Sequence, residues 1–177
     1  MADKKQQKGF TILELILSIF ILSVAVAGIF SSFSLMYILS NNNSDKAIAI
    51  YLAKEGLEIA INMRDTNGIS KTLWHQGIWP ECQNGCQLDF ASPLEGQVKP
   101  WIGSGDYLDN SQDFYRYNLS NMAPTKFKRK ITTTLLSDYA LQVTSDVFWD
   151  QRASVLNPLA NPGHFGTQVI LYNWQNN

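Results

Sequence analysis

This sequence predicts an α+β fold in which one long N-terminal helix lies across an antiparallel sheet of about four strands. Three observations carry that expectation. An apolar run from Phe10 to Leu39 holds thirty residues, no proline and a single charge, Glu14. Apolar residues at helical spacing resume from Lys46 to about Arg64. The last third of the chain alternates apolar and polar residues with the two-residue period of half-buried strands.

The first element is a helix long enough to cross a bilayer. At ~1.5 Å per residue it reaches ~45 Å, against the ~30 Å of a hydrocarbon core. Ahead of it, Lys4, Lys5 and Lys8 face one acid, Asp3. That excess of basic residues keeps the N-terminus cytoplasmic and sends the rest of the chain outward in a single pass. Glu14 is costly inside such a helix, ~2.5–3.5 kcal/mol for an acidic residue at the centre of a span. Its place one turn from the polar leader allows a bland reading as an interfacial residue. A sharper reading uses Gly9. A cut after it would make Phe10 an amino terminus, with Glu14 four residues on along the same helical face. Slid along each other, such helices bring one subunit's amine to another's carboxylate and offset the burial of both charges.

The stretch Lys8-Gly9-Phe10-Thr11-Ile12-Leu13-Glu14-Leu15-Ile16-Leu17-Ser18 resembles the N-terminus of type IV pilins and type II secretion pseudopilins. The family pattern is a short basic leader ending in Gly, then Phe, Thr, two aliphatic residues, Glu and a long apolar helix. The resemblance implies a pilin-like fold, cleavage after Gly9 by a prepilin peptidase, N-methylation of Phe10 and an assembly role for Glu14. The partners it implies are other pilin subunits, the peptidase/methylase and the inner-membrane assembly machinery. The location it implies is the cytoplasmic membrane, then a cell-surface or extracellular filament. The proline that many major pilins carry mid-helix is missing, and Gly28 is the residue that would loosen the span. A rival reading takes Ala25-Val26-Ala27 as a signal-peptide cut. Against it, Glu14 interrupts the basic-to-apolar transition, and the apolar run continues well past the tripeptide to Leu39.

Asn41-Asn42-Asn43-Ser44 ends the apolar run as a membrane exit, and Asp45 is placed to cap the next helix. From there Ile48, Leu52, Ile59 and Met63 define one apolar side, and Ile50, Ala53, Leu57 and Ile61 another. This stretch continues the first helix into one spine. Tyr51–Glu58 with Met63-Arg64-Asp65 resembles the corresponding helix of minor pilins. The predicted organisation is a leader over 1–9, a transmembrane and filament-core helix over 10–39, the outer half of the spine over 40–65, and a globular domain over 66–177.

Within that domain, residues 66–113 are turn-rich, with Gly or Pro every few positions, and read as an ordered loop folded down by Trp74, Trp79, Phe90 and Trp101. Residues 114–177 hold the sheet. Phe114–Leu119 alternates weakly. In Lys126–Leu135 the apolar set is Phe127, Ile131 and Leu135, and after a turn at Ser137-Asp138 it is Leu141, Val143, Val147 and Trp149. A loop with Pro158, Pro162, Gly163 and Gly166 leads to the last strand, Thr167–Trp174.

The net charge is −1 over 177 residues, and without the leader it is eleven basic against fourteen acidic side chains. A mildly acidic body makes no general call for nucleic acid. Cys82 and Cys86, around Asn84-Gly85, can close a small disulfide clip suited to an oxidising exterior. A metal site would need two ligands beyond the thiols, and His75 and His164, the only histidines, stand about ninety residues apart, so no metal is expected. Lys126, Lys128 and Lys130, with Arg129, read as a solvated or edge-guarding row, with polyanion binding as the alternative. Trp74, Trp79 and Trp101 read as loop anchors, with a sugar platform as the alternative. No nucleophile–base pattern or phosphate loop stands out, so neither an enzyme nor a cofactor is expected. The function expected is a structural subunit, most like a minor pilin. The alternatives are a type II secretion pseudopilin or a single-pass anchored binding module.

Overall fold

The computed structural model describes residues 9, 11–92, 98–110, 114–117, 124–151 and 162–174. The chain divides into two units, Met1–Asn41 and Asn42–Asn177. One element, α1, spans Ile12–Ile69 without a break, 58 residues with no proline. The polar run at 41–44 does not end it; within that run Asn41 turns its side-chain amide back onto the Tyr37 carbonyl at 3.0 Å. Asp45 is therefore not a cap. It sits mid-helix, buried, and meets Lys126 Nζ at 2.6 Å.

The sheet has five strands in the order β2-β1-β3-β4-β5, every pair antiparallel. Three are long: β3 (Phe127–Ser137), β4 (Ala140–Trp149) and β5 (Gly163–Tyr172). Two are residue pairs, β1 (Cys86–Gln87) and β2 (Lys99–Pro100), inside the region read as loop. The β3–β4 turn falls at Asp138-Tyr139, with a bulge between Leu135 and Ser137. The expected strand at Phe114–Leu119 is not one. Arg116 forms an isolated bridge to Asp109, residues 114, 115 and 117 are not in strand, and 118–119 lie outside the described residues. Pro158 also lies outside them.

Alternation places Phe127, Arg129, Ile131 and Thr133 of β3 on the buried face, with Leu141, Val143, Ser145, Val147 and Trp149 of β4. The face of α1 against them is Asp45, Ala49, Leu52, Ala53, Gly56, Ile59, Ala60 and Met63, a repeat of three and four residues. The stripe keeps Leu52, Ile59 and Met63 of the first side read from the sequence and Ala53 of the second, and adds Ala49, Gly56 and Ala60, small residues that let the helix come close to the sheet. At Gly56 a Cβ would lie 2.6 Å from Ser145 Oγ, 2.8 Å from Ile131 Cδ1 and 2.9 Å from Arg129 Cδ. The core falls into two clusters. One joins Ile59 and Met63 to Trp74, Ile78, Leu88, Ile131 and Val143, and the other joins Ala49 and Leu52 to Leu108, Phe127, Val147 and Trp149.

Candidate functional site

Gly9 is exposed, with no atom within 4 Å of where a Cβ would stand. Phe10 and residues 1–8, with Lys4, Lys5 and Lys8, lie outside the described residues. Thr11 caps α1: Glu14 N donates to Thr11 Oγ1 at 3.3 Å, and Leu15 N to the Thr11 carbonyl at 3.1 Å. Glu14 is thus the third helical residue, in the Thr-x-x-Glu spacing of a capping box, and its exposed carboxylate sits at the positive end of the helix dipole.

From Ile12 to Tyr37 every residue of α1 is exposed, including Ile12, Phe20, Phe30, Phe33 and Met36. The helix is long and apolar enough to cross a membrane. A helix apolar all round has no stable contact with water and needs lipid or other helices as its surroundings. Its serines are compatible with that. Ser18, Ser31 and Ser32 donate to carbonyls four residues back at 2.7–3.0 Å, and Ser23 to the Phe20 carbonyl at 2.8 Å. Gly28 opens a notch of about 490 Å³ with Ala25, Ile29, Ser32, Phe33 and Met36 on the helix surface.

The other residues singled out above fall as follows. Cys82 and Cys86 are joined in a disulfide, both fully buried, with Cα atoms 4.8 Å apart. Trp74 is buried in the core and Trp79 packs beside it, while Trp101 tilts against Phe148 at 6.2 Å, so the three do not form one platform. The lysines each have a local partner: Lys126 meets Asp45, Lys128 meets Ser104 and the Tyr107 ring, and the Lys130 stem lies over Gly85. His164 pairs with Asp146 at 2.8 Å, and His75 Nδ1 lies 3.2 Å from the Trp79 carbonyl. Among the described residues no group of three or more His, Cys, Asp or Glu is arranged to hold a metal ion.

Sequence reasoning missed Arg129, grouped with its lysine neighbours. It is fully buried on the opposite face of β3. Nη1 donates to the Leu52 carbonyl at 2.9 Å and to Glu55 at 3.0 Å, and Nη2 to the Leu88 carbonyl at 2.7 Å. One guanidinium thus ties α1, the segment after β1, and β3. Tyr117 joins it, its hydroxyl donating to the Arg129 carbonyl at 2.5 Å while its N–H donates to Asp89 at 3.0 Å. Burial pushes the Tyr117 phenol up to about 12, with the Arg129 guanidinium pulling it back down in part. The available signal was the alternation itself, since position 129 lies between Phe127 and Ile131 on the apolar phase.

No curated protein and no solved structure matches the chain. Residues 4–30 match the model of the prokaryotic N-terminal methylation motif, and the chain carries there the signature of type IV pilins and type II secretion pseudopilins.

Proposed function

We propose that the protein is a structural subunit, of the minor-pilin kind, of a type IV pilus-like filament. It is made as a prepilin with its N-terminus in the cytoplasm, cut after Gly9, N-methylated at Phe10 and incorporated through residues 10–39. Residues 40–65 form the outer half of the spine, and 66–177 form the displayed domain. The observation that supports this best is the methylation motif at the head of a helix whose first half is exposed apolar surface on every side. Lipid covers that surface before assembly and neighbouring helices cover it afterwards.

Glu14 gives the packing a register. Cleavage creates a cationic amine at Phe10, and the nearest charge on a neighbouring helix is a carboxylate one turn in. Pairing the two in apolar surroundings relieves both burials at one axial offset and at no other. A type II secretion pseudopilin would share every one of these N-terminal features. The role is structural, and it requires no cofactor.

The test is the mature N-terminus, found by mass spectrometry on protein from native membrane or sheared filaments. Phe10 at the terminus, heavier by one methyl, is expected. An intact leader, or a cut after Ala27, would refute the proposal. Glu14→Ala then separates a subunit from an anchored binding module. Loss of one partner of a buried ion pair costs about 3–5 kcal/mol, so incorporation should fall roughly a hundredfold or more while membrane insertion persists. A plain anchor would be indifferent to the change.

A further inference from the structure

A cavity of about 440 Å³ opens on the folded domain where α1 ends. Three separate segments line it. Leu73, Trp74 and His75 come from the loop after α1, Asp138 and Tyr139 from the β3–β4 turn, and Asn173 from just beyond β5. The walls are fixed to one another. Asn67 Nδ2 donates to the Gln76 carbonyl at 2.8 Å, Asn173 N donates to the Tyr139 carbonyl at 2.9 Å, and Trp174 Nε1 donates to Asp65 on α1 at 3.3 Å.

The lining has a definite chemistry. Trp74 is buried and meets His75 edge-on, ring centroids 5.2 Å apart at 81°. His75 Nδ1 faces the Trp79 carbonyl, which can only accept, so that nitrogen carries the hydrogen. In the neutral imidazole Nε2 is then an acceptor. Asp138 supplies a carboxylate, acceptor-only when ionised and the one carboxylate among the described residues of the lining. Tyr139 and Leu73 of the lining are 58% and 68% exposed, which leaves the Tyr139 ring open to a ligand.

Acceptors call for a ligand rich in O–H donors. An aromatic ring with a negative face calls for a C–H surface to lie on it. Among the described residues of the lining there is no lysine or arginine, and with a carboxylate present this disfavours phosphates, sulfates and acidic sugars. The polar half of the wall disfavours an apolar peptide side chain, which would leave those acceptors dry and unpaired. The volume lies within the ~300–1,000 Å³ of small-molecule sites. From this we propose that the cavity is a binding site for a neutral saccharide, held by Asp138 and His75 through its hydroxyls and by Tyr139 through its C–H face. The inference goes beyond the filament reading and uses no residue of the N-terminal segment, so the two fail separately.

The test uses the full chain in lauryldimethylamine oxide, a detergent without a sugar headgroup. Saturation-transfer difference NMR is run with the methyl glycosides of glucose, galactose, mannose, N-acetylglucosamine and N-acetylgalactosamine, and with methyl galacturonide as the anionic counterpart of galactose. At least one neutral glycoside should bind saturably with its ring C–H protons most strongly saturated. Tyr139→Ala and Asp138→Asn should each weaken it at least tenfold, while Tyr139→Phe keeps it within threefold, and all three variants should melt as wild type does. Three results would overturn the assignment: no saturable binding by any neutral glycoside, galacturonide binding as tightly as galactoside, or affinity unchanged by both Tyr139→Ala and Asp138→Asn.

Discussion

Gly56→Ala measures how closely the spine approaches the sheet, because two effects of opposite sign meet at that position. In an exposed helix the exchange would stabilise by about 1 kcal/mol, the difference in helix propensity. Here the new methyl would come within 3.0 Å of three atoms on three side chains, Ser145 Oγ, Ile131 Cδ1 and Arg129 Cδ, and all three side chains are fully buried. None is the free end of a surface side chain that could swing away. Relief requires the helix to move off β3 and β4, and overpacking of this kind costs about 1–3 kcal/mol. Three simultaneous contacts put it at the upper end, so the net loss is about 2 kcal/mol. For a domain of this size that is a fall of roughly 6 °C in melting temperature. The assay is thermal unfolding of the full chain in detergent, followed by circular dichroism. Ser145→Ala adds a check, since Ser145 Oγ is buried without a hydrogen-bond partner. Its removal should be neutral or stabilising in wild type and should recover part of the loss in the Gly56→Ala background. A Gly56→Ala protein as stable as wild type, or more so, would refute the close approach of α1 and the sheet.

Arg129→Ala should cost about 3 kcal/mol, the lower end for a broken buried ion pair because Glu55 keeps access to water, and Arg129→Met should recover the packing share of it; urea melts of both in detergent check this. The Tyr117 phenol, held near 12 against 10 when unfolded, keeps its proton in the native state where the unfolded chain has lost it. Its contribution is fully present below pH 10 and falls away as pH rises through 12, by about 3 kcal/mol in all. Tyr117→Phe should therefore be less stable than wild type at pH 9, by about 1 kcal/mol for the lost hydrogen bond, and the gap should close or reverse by pH 11.5. A gap constant with pH would show that this phenol does not titrate on unfolding.

The parts of the fold that were legible are those set by local chemistry. The Gly9–Glu14 pattern and the apolar span need only the residues themselves. The long strands β3 and β4 announce themselves through Phe127/Ile131 and Leu141/Val143/Val147 at a period of two. β5 begins at Gly163, four residues before its expected start, because Gly163 and Gly166 read as loop. The indole of Trp149 occupies the space where a Cβ at Gly163 would stand, so that glycine belongs to the packing. What stayed hidden depends on distant partners. β1 and β2 are strands because Cys86 meets Ile131 on one side and Pro100 on the other, which two residues cannot signal. Arg129 carried the right phase and the wrong residue type for a buried position. Ala49 and Ala60 were outweighed by the isoleucines flanking them and Gly56 by Leu57, although small side chains are what a close helix–sheet contact selects.

The spine therefore obeys two rules along one unbroken helix. From Asp45 to Met63 it repeats at three and four residues and buries one face on the sheet, while from Ile12 to Tyr37 it contributes no buried residue at all. The stability of the folded domain draws on the first set alone, and changes to the second set that touch none of its partners should leave that stability untouched. Glu14→Ala is the sharpest case. Its expected effect on filament incorporation is roughly a hundredfold or more, yet the melting temperature of the domain in detergent should stay within about 2 °C of wild type, since distant sites are independent within ~0.5 kcal/mol. An assembly defect accompanied by a lowered melting temperature would mean that Glu14 acts through folding, and the assignment of its carboxylate to a neighbouring subunit's amine would lose its support.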